Sequence, residues 1–364
     1  MTTPAMPTSA ARTWRATATA VARGLFLDRQ AEFWLGAVGS ARSFRHVQAR
    51  VIEVIAETPD VKTFVLAPNR RWPGHKAGQF ATVEVELDGV RVRRCYSIAS
   101  PPSARTLSIT VKRVPGGRVS GWLHDHVKAG QVLRLGAPAG EFTLPDAPRP
   151  LLLLSGGSGI TPVMSMLREL AATGAVDDVV FVHHARSATD VPFRGELARL
   201  AARHPGLRLI LRLDDEGGGF DEAALAAAVP DRARRATFVC GPTGLMDRVA
   251  AMWAQDGLAD RLHQERFVVP APRAASGPAA RVQLSLARAA RTVPASTDGS
   301  LLEQLERAGE RPASGCRIGI CHTCTCRKTS GTVVNLITGV ESSAPDQDIQ
   351  LCISAARSDL ELAL

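Results

Sequence analysis

Apolar and polar positions follow two different periods along this chain, and the change falls near residue 150. Between residues 45 and 146 the runs RVIEVIAE, VKTFVLAP, TVEVELDGVRVRRCYSIAS and TLSITVKRV are rich in β-branched residues and separated by Pro, Gly and Asp. Side chains of a strand point to alternate faces, so such runs predict antiparallel strands. Asp88-Gly89, set between two alternating stretches, predicts a tight hairpin. Five or six strands in about 100 residues predict a small β-barrel. A short helix near residues 120–127 interrupts it before a closing strand, VLRLG.

Residues 147–267 read differently. LLLLSG is continuously apolar, as a strand buried on both faces must be. VVFVHH, LRLILRL and ATFVCG follow, with helices expected at 162–172, 194–203, 221–228 and from about 244. Strand–helix alternation of this kind predicts a doubly wound α/β domain with a parallel sheet. VVPAPRAASGPAA, residues 268–280, reads as a linker. Residues 281–364 carry VQLSLA, a helix near 301–308, a cysteine-rich loop and further short strands. Residues 1–44 are expected to form a helical extension on the body, because Phe26, Phe33, Trp34 and Leu35 need burial.

Composition narrows the classes. A chain 45% hydrophobic and 22% charged is ordinary globular protein. No apolar run approaches the roughly 20 residues that cross a bilayer. The net charge of +9 comes from scattered Arg and Lys, without the blocks that mark a nucleic-acid binder. Seven Arg face only Asp28 and Glu32 in residues 1–50, a basic end suited to an acidic partner or to lipid headgroups, and equally to solvent. Seven Cys, four of them within residues 316–326, do not suit a disulfide framework. They suit a metal or cluster site in the reducing cytoplasm.

The cysteine loop gives the sharpest chemistry. Cys316, Cys321 and Cys324 are spaced C-x4-C-x2-C, and Cys352 follows after a further 27 residues. This is the plant-type 2Fe–2S ferredoxin spacing, and the resemblance to such ferredoxins implies a β-grasp (α+β) domain over residues 281–364. A flat cluster needs two thiolates on each iron and small residues, here Gly315 and Gly319, that let backbone amides approach. Zinc knuckles prefer paired C-x2-C units, and only one such unit is present. Cys326 lies two residues beyond the third ligand and reads as a packed free thiol.

Two further motifs sit in the barrel. Arg94-Cys95-Tyr96-Ser97 ends a strand, offering a guanidinium for phosphate, an aromatic ring for stacking and a hydroxyl. Gly116-Gly117-Arg118-Val119-Ser120 opens the short helix, whose amides suit an anion. With Gly78-Gln79-Phe80 ahead of them, these runs resemble the flavin domain of the ferredoxin–NADP reductase superfamily. The resemblance implies that Arg94, Gly117, Val119 and Ser120 hold flavin phosphates, and that Tyr96 and Ser97 lie against the isoalloxazine. GGRVSGWLHDHV is similar to FAD-binding members such as the reductase half of flavohaemoglobins, so FAD is expected. Reductases with the same domain order that resemble phthalate dioxygenase reductase use FMN, the alternative.

Ser155-Gly156-Gly157-Ser158-Gly159-Ile160-Thr161-Pro162 joins a buried strand to a helix, a turn that lets a diphosphate approach backbone at Gly157, Gly159 and Thr161. Pro162 suits the first helical position. The run resembles the nucleotide domain of the same superfamily, as does Cys240-Gly241-Pro242. The resemblance places Cys240, with Ser97, where hydride passes from nicotinamide to flavin, and gives Gly241 and Pro242 cofactor contacts. Glu265-Arg266-Phe267 resembles the E-x-F segment that ends this domain, with Phe267 closing the flavin's nicotinamide side. At the end of VVFVHH, Arg186 and Ser187 suit a 2′-phosphate, so NADPH is expected, with Asp190 staying clear.

Together these readings predict an NAD(P)H oxidoreductase passing electrons from NADPH to FAD to a 2Fe–2S cluster to a partner protein. The terminal segments look most like the electron-transfer partner of a membrane acyl-CoA desaturase, which implies possible peripheral membrane association. The alternative is the reductase of a soluble multicomponent oxygenase, using NADH and possibly FMN. A non-enzymatic metal-binding protein is the alternative of another class.

Overall fold

The computed structural model describes residues 43, 46–87, 89–145, 150–267 and 280–364. The expected helical extension and the expected linker lie outside the described residues, apart from residues 43 and 280.

Six antiparallel strands make the first unit: β1 (Val47–Thr58), β2 (Val61–Pro68), β3 (Phe80–Leu87), β4 (Val90–Ser97), β5 (Leu107–Lys112) and β6 (Val132–Leu135), in the order β4-β3-β6-β1-β2-β5. Leu87 pairs with Val90, the register of a two-residue hairpin, and Gly89 supplies the positive φ of 73° that this turn needs. Beyond β4, Ile98 bridges Ile109 of β5, which brings the two ends of the sheet together as a barrel. Alternate residues fill its interior with Val51, Phe64, Leu66, Val83, Ile109 and Leu133. Helix α1 (Arg118–His126) plugs one end with Val119 and Leu123.

The second unit is a five-stranded, all-parallel sheet. Its strands are β7 (Leu151–Gly156), β8 (Val179–Ala185), β9 (Leu207–Leu213), β10 (Ala236–Cys240) and β11 (Leu262–Glu265), in the order β11-β10-β7-β8-β9. Helices α2 (Ile160–Thr173), α3 (Arg194–Arg203), α4 (Glu222–Ala228) and α5 (Thr243–Gln255) connect them. Leu151 and Leu153 pack into one hydrophobic cluster and Leu152 and Leu154 into another, so β7 is covered on both faces. That is why its sequence shows no alternation. The strand order reverses beside β7, at the switch point where open parallel sheets bind ligands past their carboxyl ends.

The third unit is mixed. Strands β12 (Arg281–Leu286), β13 (Arg291–Ser296), β14 (Thr325–Ser330), β17 (Gln347–Gln350) and β19 (Leu360–Leu362) form a sheet in the order β13-β12-β19-β14-β17. Three short strands, β15 (Val333–Asn335), β16 (Glu341–Ser342) and β18 (Ser354–Ala356), make a second small sheet. Helix α6 (Leu301–Arg307) crosses it, capped by the Ser300 hydroxyl on the Glu303 amide, and buries Leu301, Leu302 and Leu305 in the same core as Cys324 and Cys352. The parallel β12–β19 pair inside an otherwise antiparallel sheet, with one helix packed on it, is the β-grasp arrangement.

Candidate functional site

The loop from Gly315 to Cys324 lies between α6 and β14 and turns sharply. Arg317 and His322 adopt positive φ of 65° and 53°, and Gly319 of 82°. Such turns direct successive N–H groups inward, as at an anion-binding nest. The amides of Ile318 and Cys321 donate to Cys316 Sγ at 3.4 and 3.3 Å, and the Cys316 amide donates to Cys321 Sγ at 3.1 Å. A Cβ at Gly315 would fall 2.6 Å from Cys321 Sγ, so only glycine fits there. Cys324 and Cys352 place their sulfurs 3.2 Å apart. The four thiols therefore stand as two pairs, Cys316 with Cys321 and Cys324 with Cys352. A 2Fe–2S cluster asks for that division, with N–H donors around the sulfurs. Cys326, buried on β14, turns its sulfur to its neighbour's carbonyl.

Strand β4 carries the flavin motif. Ser97 is buried and donates to Glu265 Oε2 at 3.5 Å. Tyr96 lies half-buried against the barrel core, and burial raises its hydroxyl's pKa above the usual range. Gly78 holds the preceding turn at φ 96°, where a Cβ would collide with the Phe142 carbonyl oxygen at 2.0 Å. Arg94 does more than the sequence assigned to it: its Nη1 donates to the Gly315 carbonyl at 3.2 Å, joining the barrel to the cysteine loop. Burial and the neighbouring Arg317 lower its pKa. Ser120 braces the turn that opens α1: its hydroxyl accepts from the Val114 amide and donates to the Gly117 carbonyl. No side chain caps α1 at Gly117, so its first-turn amides, Val119 among them, fit a phosphate better than the Ser120 hydroxyl does.

At the carboxyl ends of β7, β8 and β10 lies a cleft of about 290 Å³, lined by Gly156, Gly157, Ser158, Arg186, Pro242 and Leu245, among others. Gly157 takes φ 52°. A Cβ at Gly159 would stand 2.2 Å from the Cys240 carbonyl oxygen, so the glycine turn and the Cys240-Gly241-Pro242 corner press directly together. Helix α2 begins at Ile160 after a short 3-10 turn, two residues earlier than expected. Pro162 consequently sits inside the first turn and not at its first position, which is harmless because those amides lack intrahelical acceptors. Thr161 ties its hydroxyl to the Ser158 carbonyl and is buried, outside the cleft.

Gly159→Ala is expected to cost about 2–3 kcal/mol through overpacking, a fall of at least about 5 °C in melting temperature. Gly121→Ala, inside α1 with nothing within 4 Å of its Cβ, should not lower it.

Asp190 does not stay clear of Arg186 and Ser187. It accepts from Arg186 at 2.6 Å and from the Ser187 hydroxyl at 2.9 Å, because a 3-10 turn at residues 188–190 folds it back over both. Asp60 and Lys112, from the barrel, also line the cleft, and Asp60 lies 3.7 Å from Arg186. Nothing in a linear motif announces residues brought from another domain.

Cys240 is fully buried at the end of β10, paired in register with Ser155 and Glu265. Burial pushes its thiol pKa well up. Burial also pushes the Glu265 carboxyl up to about 8, opposed by the hydroxyl of Ser97. Ser97 from the barrel thus meets Glu265, beside Cys240, across the boundary between the units. Phe267 packs half-buried against the cluster that contains Cys240. Sequence reasoning quoted Glu265 within its motif and gave it no part; its signal was a lone carboxylate ending a buried parallel strand.

Three family models match in succession: an oxidoreductase FAD-binding domain over residues 48–144, an oxidoreductase NAD-binding domain over 153–251, and a 2Fe-2S iron-sulfur cluster binding domain over 285–357. An NADPH oxidoreductase of Mycobacterium tuberculosis is 40% identical over 328 residues, covering 88% of this chain and 85% of that protein. The glycine betaine monooxygenase reductase subunit of Pseudomonas aeruginosa is 38% identical over 317 residues, covering 79% and 86%. Among solved structures, phthalate dioxygenase reductase, described as a modular structure for electron transfer from pyridine nucleotides to [2Fe-2S], aligns with a TM-score of 0.64 at 26% identity, covering 88% of this chain and 98% of that one.

Proposed function

Because this chain belongs to the NAD(P)H oxidoreductases built from FAD-binding, NAD-binding and 2Fe–2S domains, we propose that it is the reductase component of an oxygenase system, delivering single electrons to a separate oxygenase protein. One observation carries the reading: Ser97, Glu265 and Cys240 converge from two domains, and β4, which supplies Ser97, also touches the cysteine loop through Arg94. Along a strand, three residue steps span about 10 Å, so hydride chemistry and cluster lie at opposite ends of one short segment. A flavin held there would supply the conversion of a two-electron hydride into single-electron steps.

In this reading the first-turn amides of α1 and Arg94 hold the flavin's phosphates, and Tyr96 packs beside its ring. Ser97 offers a hydroxyl at the acceptor edge, and Cys240 and Phe267 exclude water from the nicotinamide face. The Gly157 turn admits the dinucleotide's diphosphate. Cys316, Cys321, Cys324 and Cys352 hold the irons.

The relatives support an oxygenase acceptor, since their names include a monooxygenase reductase subunit and a phthalate dioxygenase reductase. None of these names supports the acyl-CoA desaturase expected from the terminal segments. No helix among the described residues is long and apolar enough to cross a membrane. Seven cysteines, four of them assigned to a cluster and none placed as a disulfide framework, favour a cytoplasmic setting.

NADPH is the proposed donor. Arg186 is exposed at the cleft, Lys112 stands near it, and the Mycobacterium tuberculosis relative is named for NADPH. NADH is the competing reading, favoured by the grip of Asp190 on Arg186 and Ser187. Anaerobic bleaching with each nucleotide, with identification of the released flavin, tests donor and cofactor together. Arg186→Ala should raise KM for NADPH about tenfold, the worth of one charge-assisted hydrogen bond, and leave KM for NADH unchanged. Equal use of both nucleotides by the unaltered protein would remove the NADPH assignment.

A further inference from the structure

Cys95 occupies the spacer position of the Arg94–Ser97 motif, yet its thiol does not face the barrel core alone. Its sulfur lies within 4.8 Å of those of both Cys316 and Cys321, although it comes from another domain. On the other side Thr82, its cross-strand partner in β3, places Oγ1 3.5 Å from the same sulfur. The contact is anchored by its neighbour, since Arg94 donates to the Gly315 carbonyl at the root of the same loop. Cys95 is half-buried, as is Cys321, and Cys316 is buried. Three thiols from two domains therefore meet where β4 abuts the cysteine loop, and only two of them belong to the ligand set.

We infer that Cys95 is a cross-domain thiol donor to the cluster, positioned so that its S–H group hydrogen-bonds to the thiolates of Cys316 and Cys321 and raises the cluster's reduction potential. The inference rests on those two residues being cluster ligands. A thiol is a weak donor, and thiolate sulfur is a good acceptor when it carries charge. Reduction adds one negative charge to the cluster and its ligands, so a donor to those sulfurs stabilises the reduced form more than the oxidised one. Hydrogen bonds to the sulfurs are among the features that set such potentials. Thr82 leaves the S–H free to turn toward the loop, because its own hydroxyl can donate to the Cys95 sulfur. The same contact sets Cys95 of β4 against the Cys316–Cys321 pair, beside the link from Arg94 to Gly315.

The test is an EPR-monitored redox titration of the holoprotein with Cys95 changed to Ala and to Ser. Cys95→Ala should shift the one-electron reduction equilibrium of the cluster about tenfold toward the oxidised form, a fall of about 59 mV. Cys95→Ser keeps a donor and should hold the midpoint close to that of the unaltered protein. Iron and flavin content, with visible absorbance, verify that both variants are folded and loaded. A loaded Cys95→Ala protein with an unmoved midpoint would overturn the inference, and so would an equal fall in both variants. A preparation of unaltered protein with no cluster signal would instead overturn the ligand assignment beneath it.

Discussion

Cys324→Ser is expected to abolish delivery of electrons to one-electron acceptors while flavin reduction by pyridine nucleotide continues. Cys324 is preferable to Cys321 as the target because Cys95 lies within 4.8 Å of the Cys321 sulfur and offers a substitute thiol there. The far pair, Cys324 with Cys352, is packed into the core beneath α6. Removing an outer-shell partner of a metal site already costs about 10–100-fold, so loss of a ligand should cut cytochrome c turnover more than about 100-fold. Iron analysis and anaerobic bleaching provide the two readouts. Full turnover with iron retained would count against the assignment of Cys324 as a ligand.

Flavin reduction should slow as pH rises through about 8, and Glu265→Gln should remove that slowing. Burial holds the carboxyl's pKa near 8, so at neutral pH it is protonated and uncharged. Above that pH a carboxylate appears next to Ser97 and Cys240. On the proposed function, a flavin bound there would gain negative charge on reduction, and a like charge beside it would oppose that. If the charged form is inactive, the rate falls up to about tenfold per pH unit above about 8. Glutamine keeps the shape and stays neutral, so its profile should be flat across this range. The same shift acts on stability: between about 4.5 and about 8 the folded chain keeps a proton that the unfolded chain has lost, so stability declines as pH rises across that window. Stopped-flow reduction from pH 6 to 9.5 checks the first effect, and thermal melts check the second. An alkaline fall that persists in Glu265→Gln would assign it to another group.

What the sequence made legible was local. The period of apolar residues marked both the barrel and the parallel sheet, because alternation and continuous apolarity report directly how many faces a strand buries. The cysteine spacing singled out four thiols that the fold gathers as two pairs, because wrapping a compact cluster constrains neighbours along one loop. Contacts between units were not legible. Cys95 was a spacer in a motif until the fold set it against Cys316 and Cys321. Glu265 ended a buried strand until Ser97 arrived from the barrel. Asp190 was read as too far along the chain to matter, yet a single 3-10 turn folds it onto Arg186 and Ser187. The motif pointed to the Ser120 hydroxyl without showing that it also braces the turn that presents α1. Each of these depends on which hydrogen bonds are formed, and residue type alone does not decide that.

The meeting of Gly159 with the Cys240 carbonyl has a consequence for anyone rebuilding this scaffold. Two stretches some eighty positions apart share one wall thickness, so neither can be exchanged for a relative's version alone. A transplanted turn with a bulkier residue needs a matching retreat of the second corner, and paired exchanges there should behave non-additively. On the proposed function, donor preference is better altered at the far end of the cleft, around Arg186 and Asp190, where side chains line the boundary.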